Sequence, residues 1–351
     1  MSIVAVDLFC GVGGLTHGLQ QSGISVTAGY DIDENCRLPY EANNEATFVS
    51  SSVTELDVAD LRNHYDESSV KLLAGCAPCQ PFSTYTQGKE RDERWGLLYH
   101  FSRLARELNP ELITMENVPE LIKHDVFSDF IETLKKHGYH VWHQVVNCPE
   151  YGIAQKRKRL VLLASRLGEI SLTPPTHSTE QFLTLKDVIG HLPPIEAGAI
   201  HSEDVLHRAA GLSPINLARI KASLPGGTWK DWPEELLANC HKKDTGKKYT
   251  SVYGRMDWSD LSPTVTTQFY NYGSGRYGHP SQHRALSLRE AAMIQSFPES
   301  YKFTQEERDY SVAAIARMIG NAVPVRLAKV IGDTLVSHAE YHGVGCGTAC
   351  K

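Results

Sequence analysis

Short apolar runs alternate with longer polar-and-apolar stretches through the first half of the chain. The runs at Ile3–Phe9, Ile24–Tyr30, Thr47–Ser50, Val70–Ala74 and Glu111–Pro119 read as strands buried on both faces. Between them, helical spacing predicts helices over Leu15–Gln21, about 34–43, about 96–108 and Phe127–His137. Asn109-Pro110 stops the third of these and Gly138 closes the fourth. His140–Asn147 and Leu160–Ser165 add two late strands. Repeated strand–helix alternation predicts an α/β fold, a Rossmann-like doubly wound sheet that is mostly parallel.

From about Ser171 the pattern loosens. Pro174-Pro175, Pro193-Pro194, Pro214 and Pro225-Gly226-Gly227 interrupt it, which predicts a smaller, irregular domain over 172–283. Helical patterning returns at Ser287–Gln295 and at Pro324–His338, the latter opened by Gly320-Asn321-Ala322-Val323. The expected organisation is a main domain from 1–171 plus 284–338, the inserted domain at 172–283, and a loose tail at 339–351.

Composition changes this picture little. A hydrophobic share of 41% over 351 residues is ordinary for a globular chain, and eight scattered cysteines do not make a disulfide framework. No run of about 18 apolar residues predicts a membrane span. The first residues enter a strand pattern without a leader-like segment, so a cytoplasmic protein is expected. Charge is more informative. The net charge of -6 argues against a nucleic-acid partner, yet residues 221–284 hold nine Lys/Arg against six Asp/Glu. A basic segment within an acidic chain is a footprint for polyanions or a solvated face. Tyr270, Tyr272 and Tyr277, interleaved with Arg276 and small polar residues, read equally as a nucleic-acid contact loop or as packing.

Candidate chemistry gathers at predicted strand ends. Cys10-Gly11-Val12-Gly13-Gly14 joins the first strand to the first helix, where backbone can approach a ligand closely. It departs from G-x-G-x-x-G, because Thr16 holds the third glycine position, so a ligand without phosphates suits it better. Asp31, at the end of the second strand, is placed to grip a ribose diol, and Asp31 or Asp33 to cap the next helix. Cys79 follows the fourth strand within Gly75-Cys76-Ala77-Pro78-Cys79-Gln80, Glu116 closes the fifth, and Arg157 and Arg159 precede the last. A thiol nucleophile, a carboxyl acid and a guanidinium suit attack on an electron-poor pyrimidine ring. Cys76 and Cys79 also form a C-x-x-C, but redox chemistry gives Glu116 and the arginines no role, and zinc would need a second pair from the tail. Cys76 itself reads as a small packed strand residue.

Several of these blocks, in their order, resemble the C5-cytosine-specific DNA methyltransferase family, of restriction-modification or orphan type. They are Asp7-Leu8-Phe9-Cys10-Gly11-Val12-Gly13-Gly14, Pro78-Cys79-Gln80, Glu116-Asn117-Val118 and Gln155-Lys156-Arg157-Lys158-Arg159. Arg284-x-x-Ser287-x-Arg289-Glu290-Ala291-Ala292 with Gln295-Ser296-Phe297-Pro298, and Gly320-Asn321-Ala322-Val323, complete the set over about residues 3–335. The resemblance implies methyl transfer from S-adenosyl-L-methionine to C5 of a cytosine in a short duplex DNA sequence, by base flipping. It implies that Cys79 is the nucleophile, that Glu116 contacts N3 and N4, and that Arg159 contacts O2 with Arg157 in support. It places Phe9, Gly11, Gly13, Gly14, Asp31, Pro78, Leu98, Asn321 and Val323 at the cofactor. Ile32 and Ser52 stand where the family's adenine contacts are more often aromatic and acidic. Gln80, Ser83, Arg255, Thr266, Arg276 and Tyr277 are placed at the DNA. The 172–283 segment resembles the target-recognition domain, the chain is expected to act as a monomer, and a cognate endonuclease would act separately. Two other readings stay open from the residues: an RNA cytosine-5 methyltransferase, and a catalytically silent nucleic-acid-binding module.

Overall fold

The computed structural model describes residues 2–78, 96–244, 246, 248–304 and 311–344. Two units emerge from the chain: one of residues 1–151, 158–176 and 323–351, the other of 152–157 and 177–322.

The first unit is built on a seven-stranded sheet. Its strands are β1 (Ile3–Leu8), β2 (Ser25–Asp31), β3 (Thr47–Ser50), β4 (Val70–Gly75), β5 (Leu112–Asn117), β6 (His140–Asn147) and, after a short β7 (Gln155–Lys156) in the other unit, β8 (Lys158–Ser165). Their order across the sheet is β3-β2-β1-β4-β5-β8-β6. β1 to β5 pair in parallel, whereas β8 runs antiparallel to both β5 and β6. The expectation of a mostly parallel Rossmann-like sheet holds. Every residue of β1 and β5 is buried, as a strand covered on both faces requires.

Helices α1 (Gly14–Gln21), α2 (Arg37–Asn43), α3 (Val58–Arg62), α4 (Gly96–Leu108) and α5 (Asp125–Lys136) link these strands. One core combines Leu8, Leu73, Ile113 and Leu162 of the sheet with Phe101, Leu104, Phe127 and Phe130 of α4 and α5. Asn109, with φ 53, takes the left-handed turn that ends α4 ahead of Pro110.

In the second unit β7 pairs in parallel with β9 (Ser262–Pro263). α6 (Leu185–Ile189), α7 (Pro214–Ala222), α8 (Leu288–Ile294) and α9 (Val312–Asn321) are separated by irregular chain. Apolar packing joins Ile220, Trp229, Trp232, Tyr272 and Ala285. Polar struts do the rest. The Arg284 guanidinium donates to both oxygens of buried Glu290, at 2.7 and 2.6 Å. Burial opposes the charge on Glu290, but Arg284, His279 and the Ser287 amide outweigh it and hold the carboxyl at about 2. Arg289 likewise clamps Asp204, at 2.6 and 3.0 Å.

The boundary expected at residue 283 is therefore displaced. Residues 284–322 fold with the irregular unit, because the partners of Arg284 and Arg289 within 195–301 lie there. Residues 152–157 join it too. The final helix α10 (Val325–Tyr341) returns to the first unit and runs three residues past the predicted end at His338. Residues 345–351 of the expected tail lie outside the described residues. Among the described residues no helix is long and apolar enough to cross a membrane.

α10 packs on α1 at close range. A Cβ at Gly18 would lie 2.5 Å from Val325 O and 2.6 Å from Lys329 N, both backbone atoms. Backbone cannot move aside as a flexible side chain can. Gly18→Ala is expected to destabilise the protein by about 1–3 kcal/mol, the range for overpacking. Urea denaturation followed by circular dichroism checks this, and an unchanged midpoint would contradict the close approach.

Candidate active site

The C-terminal edge of the sheet carries two groups of functional side chains. The first surrounds the turn from β1 to α1. Phe9 (φ 61), Gly11 (φ 50) and Gly13 (φ 86) are all left-handed, which turns the chain sharply before Gly14 opens α1. Phe9 adopts this conformation without the freedom of glycine, and such strain gathers at functional sites. Among the described residues, and apart from its two chain neighbours, no atom lies within 4 Å of where a Cβ on Gly11 would sit.

Asp31 ends β2 beside this turn. Its Oδ2 accepts from Gly11 N at 2.9 Å and its Oδ1 from Asp33 N at 2.9 Å. Burial pushes its carboxyl up, against those backbone donors. Asp33 supplies the cap, accepting from Asn35 N at 3.2 Å. Of the two aspartates, Asp33 takes the capping role. Ile32, between them, is 75% exposed. An apolar side chain left in the open beside a carboxylate and a bare glycine turn fits an adenosine group: a flat base and a diol, with no phosphate. Ser52 lies in the turn after β3, its hydroxyl 2.7 Å from that of Thr54.

Beneath the turn runs a network that sequence reasoning missed. Thr16 Oγ1 donates to Asp7 Oδ2 at 2.8 Å and lies 3.0 Å from Tyr40 OH. The threonine that breaks the glycine fingerprint is thus an anchor for the strand end. Asp7 is fully buried, and its Oδ1 has no hydrogen-bond partner among the described residues. Burial raises its carboxyl from 3.8 to about 7, against the Thr16 bond and helped by Asp31.

The second group lies at the ends of β4 and β5 and the start of β8. Glu116 is buried, and Arg159 Nε stands 2.8 Å from its Oε1. That contact is an ion pair whose N–H direction misses hydrogen-bond alignment, and among the described residues Oε1 has an unfilled acceptor position. Cys76 Sγ donates to Glu116 Oε2 at 3.1 Å, and Asn117 Nδ2 donates to Ala77 O at 3.0 Å. Cys76 is therefore more than the packed residue expected; it is half-buried and bonded to the carboxyl. Pro78 is exposed. Cys79, Gln80 and Ser83 lie outside the described residues.

The remaining expected residues are spread over both units. Leu98 is packed in the core beside Ala77 and Phe101, and Val323 is buried ahead of α10. Asn321 ends α9 and is exposed. Arg157 is buried in the second unit, donating to Val265 O at 3.0 Å and to Gly320 O and Ala322 O at 3.4 Å. It is a strut that ties loop carbonyls together, which corrects its expected place in the chemistry. Arg255 is corrected in the same way. Its guanidinium is buried and donates to the carbonyls of Ile220, Ser223, His279 and Gln282, leaving it no face for DNA. Tyr277 is buried, its hydroxyl donating to Thr264 O at 2.8 Å, and Tyr272 lies in the aromatic core. For these two tyrosines the packing alternative is the observed one. Thr266 is exposed and Arg276 half-buried, its Nη1 donating to Gly226 O at 3.1 Å. No sequence period distinguishes a buried arginine that collects carbonyls from an exposed one that meets phosphate.

Comparisons with known proteins identify the family and its relatives. The family described as C-5 cytosine-specific DNA methylase matches residues 3–337. The Type II methylase M.HgiDII of Herpetosiphon aurantiacus is 51% identical over 95% of each chain. The Type II methyltransferase M.Eco47II of Escherichia coli is 32% identical, over 94% of this chain and 78% of its own. Among solved structures, Spodoptera frugiperda DNMT2 matches with a TM-score of 0.67 at 17% identity, covering 94% of this chain and 98% of that one. At that identity it attests to the fold alone.

Asp7 gives a test that needs no substrate. Its folded-state value is raised, so its contribution to stability is present below about 4 and is lost as pH rises through about 7. The stability of wild type relative to Asp7→Asn should therefore fall between about pH 5 and about pH 8. Urea denaturation of both proteins at each pH measures it, and a difference that does not change with pH would contradict a titrating buried carboxyl.

Proposed function

The chain belongs to the C-5 cytosine-specific DNA methylase family, and we propose a division of labour among its residues for that reaction. The protein is an S-adenosylmethionine-dependent DNA (cytosine-5)-methyltransferase. The observation that carries the residue assignment is Glu116. A buried carboxylate with one oxygen paired to Arg159 and still open to a donor suits the polar edge of a single base.

S-adenosylmethionine supplies an electrophilic methyl group. The turn at Gly11–Gly14 lets it approach backbone, Asp31 offers its remaining lone pairs to the ribose hydroxyls, and Ile32 covers the adenine face. Ser52, Pro78, Leu98, Asn321 and Val323 are further candidates on family grounds. The target cytosine must leave the duplex to be reached, at a cost of a few kcal/mol in stacking and pairing. Glu116 then accepts from the N4 amino group and meets N3, while the Arg159 guanidinium holds O2. The Cys79 thiolate forms a bond to C6, the π pair of the C5–C6 double bond passes to C5, and C5 takes the methyl group, whose bonding pair would stay on the donor's sulfur as S-adenosylhomocysteine. Loss of the C5 proton to a base and departure of Cys79 restore the ring and the enzyme.

Residues of the irregular unit are proposed to read the target, with Thr266 and Arg276 as candidates beside the basic segment at 221–284. Gln80 and Ser83 complete the proposed DNA contacts. We propose further that the protein acts as a monomer in the cytoplasm and protects DNA from a separate endonuclease; the Type II names of its relatives support a restriction-modification role.

Methyl transfer from labelled S-adenosylmethionine tests this, using unmethylated genomic DNA and total RNA as separate substrates. Label is expected in DNA at one short sequence, mapped by base-resolved sequencing. Cys79→Ala should abolish it, and Glu116→Gln should lower turnover at least about a hundredfold while cofactor binding persists. Turnover by Cys79→Ala at the wild-type rate would sink the mechanism, and label confined to RNA would overturn the substrate.

A further inference from the structure

Cys76 sits one residue past β4, and Glu116 is the penultimate residue of β5. The two strands pair in parallel with Gly75 opposite Met115, so the next rung brings Cys76 opposite Glu116. There the thiol donates to Oε2 at 3.1 Å, while Arg159 Nε stands 2.8 Å from Oε1. One more rung along, Asn117 Nδ2 donates to Ala77 O at 3.0 Å. The crevice between the strands is thus laced twice, once through the carboxyl and once through backbone.

A carboxylate held only by an ion pair to one oxygen remains able to rotate about its terminal torsion, which has a broad energy profile. A donor on the other oxygen removes that freedom. We propose that Cys76 is a positioning residue for the methyl-transfer reaction, its thiol fixing the plane of the Glu116 carboxyl so that Oε1 faces the cytosine. A thiol suits the task because it is a weak donor. It sets direction and takes little of the negative charge that the base must meet. At neutral pH an ordinary thiol is mostly protonated and able to donate. The reaction needs Cys79 as a thiolate and Cys76 as a thiol, two cysteines three positions apart in opposite states. The proposal rests on Glu116 contacting the base.

The test is steady-state methyl transfer by Cys76→Ala, Cys76→Val and Cys76→Ser, with Glu116→Gln and the double variant Cys76→Ala/Glu116→Gln beside them. The two variants lacking a donor should lose about tenfold in kcat, as expected for a lost bond to a charged group. Their KM for S-adenosylmethionine should stay within about twofold of wild type, because the cofactor residues are untouched. Cys76→Ser, which restores a hydroxyl donor, should stay within about threefold in kcat. The double variant should be no slower than Glu116→Gln alone, since a thiol that acts through the carboxyl has nothing to position once that carboxyl is an amide. Thermal denaturation of each variant separates loss of fold from loss of turnover, and the two donor-free variants guard against one failing to fold. Wild-type kcat in both donor-free variants, with Glu116→Gln crippled, would overturn the role of Cys76 and leave that of Glu116 standing. Equal losses in Ser and Ala would overturn it too, by reducing the effect to packing. A Glu116→Gln enzyme with normal kcat would instead overturn the assignment of Glu116 on which the proposal rests.

Discussion

A parallel strand ends where an antiparallel one begins, and that reversal brings Arg159 to Glu116. β1, β2, β4 and β5 all finish at one edge of the sheet, which is why Phe9, Asp31, Cys76 and Glu116 gather there. β8 runs against β5 with Leu160 opposite Asn117, so Arg159, one residue earlier, lies at the end of β5 and reaches Glu116. Were β8 parallel, its charged start would lie at the opposite edge, about 20 Å away for a strand of this length. The buried carboxylate would then lack a counter-ion, and an unpaired buried charge is costly. Strand direction, more than any one contact, makes the edge chemically usable.

Much of this was legible in the chain because short apolar runs and their Gly, Asp and Pro punctuation report strand ends directly. The strands at 47–50 and 140–147 and the helix at 96–108 fall where the pattern predicts them. Asp31, Glu116 and Arg159 were legible for the same reason, each lying at a strand terminus. What the pattern did not carry was contact across the chain. Arg255 and Arg157 belong to a basic run in sequence, yet each is surrounded by carbonyls from segments far away. Period and composition say nothing about which arginine finds such a nest. The boundary at 283 failed for the same reason: Arg284 pairs with Glu290 and bonds to Ile195 O, so helix-like patterning after 283 did not signal a return to the sheet.

The polar network under the glycine turn shows how one departure from a familiar motif can be a feature. Thr16 stands where a dinucleotide fold has glycine, and its hydroxyl reaches Asp7 and Tyr40. A glycine there would remove the hydroxyl bond to a fully buried carboxyl and leave it the backbone amide of position 16 alone as donor from that residue. The turn is thereby held from below by side chains and left open above, around Gly11, for a ligand.

The irregular unit is assembled from two separate lengths of chain, 152–157 and 177–322, and this bears on how the unit can be exchanged between relatives. The short piece is stitched to the long one: Gln155 bonds to Gln295 and to Val265 N, and Arg157 collects three carbonyls from the long piece. A cassette exchange that imports 177–322 from another enzyme would therefore seat foreign carbonyls around a resident arginine. Modular shuffling of this unit has to carry the hexapeptide 152–157 along with it, or begin from donors that already share Gln155 and Arg157.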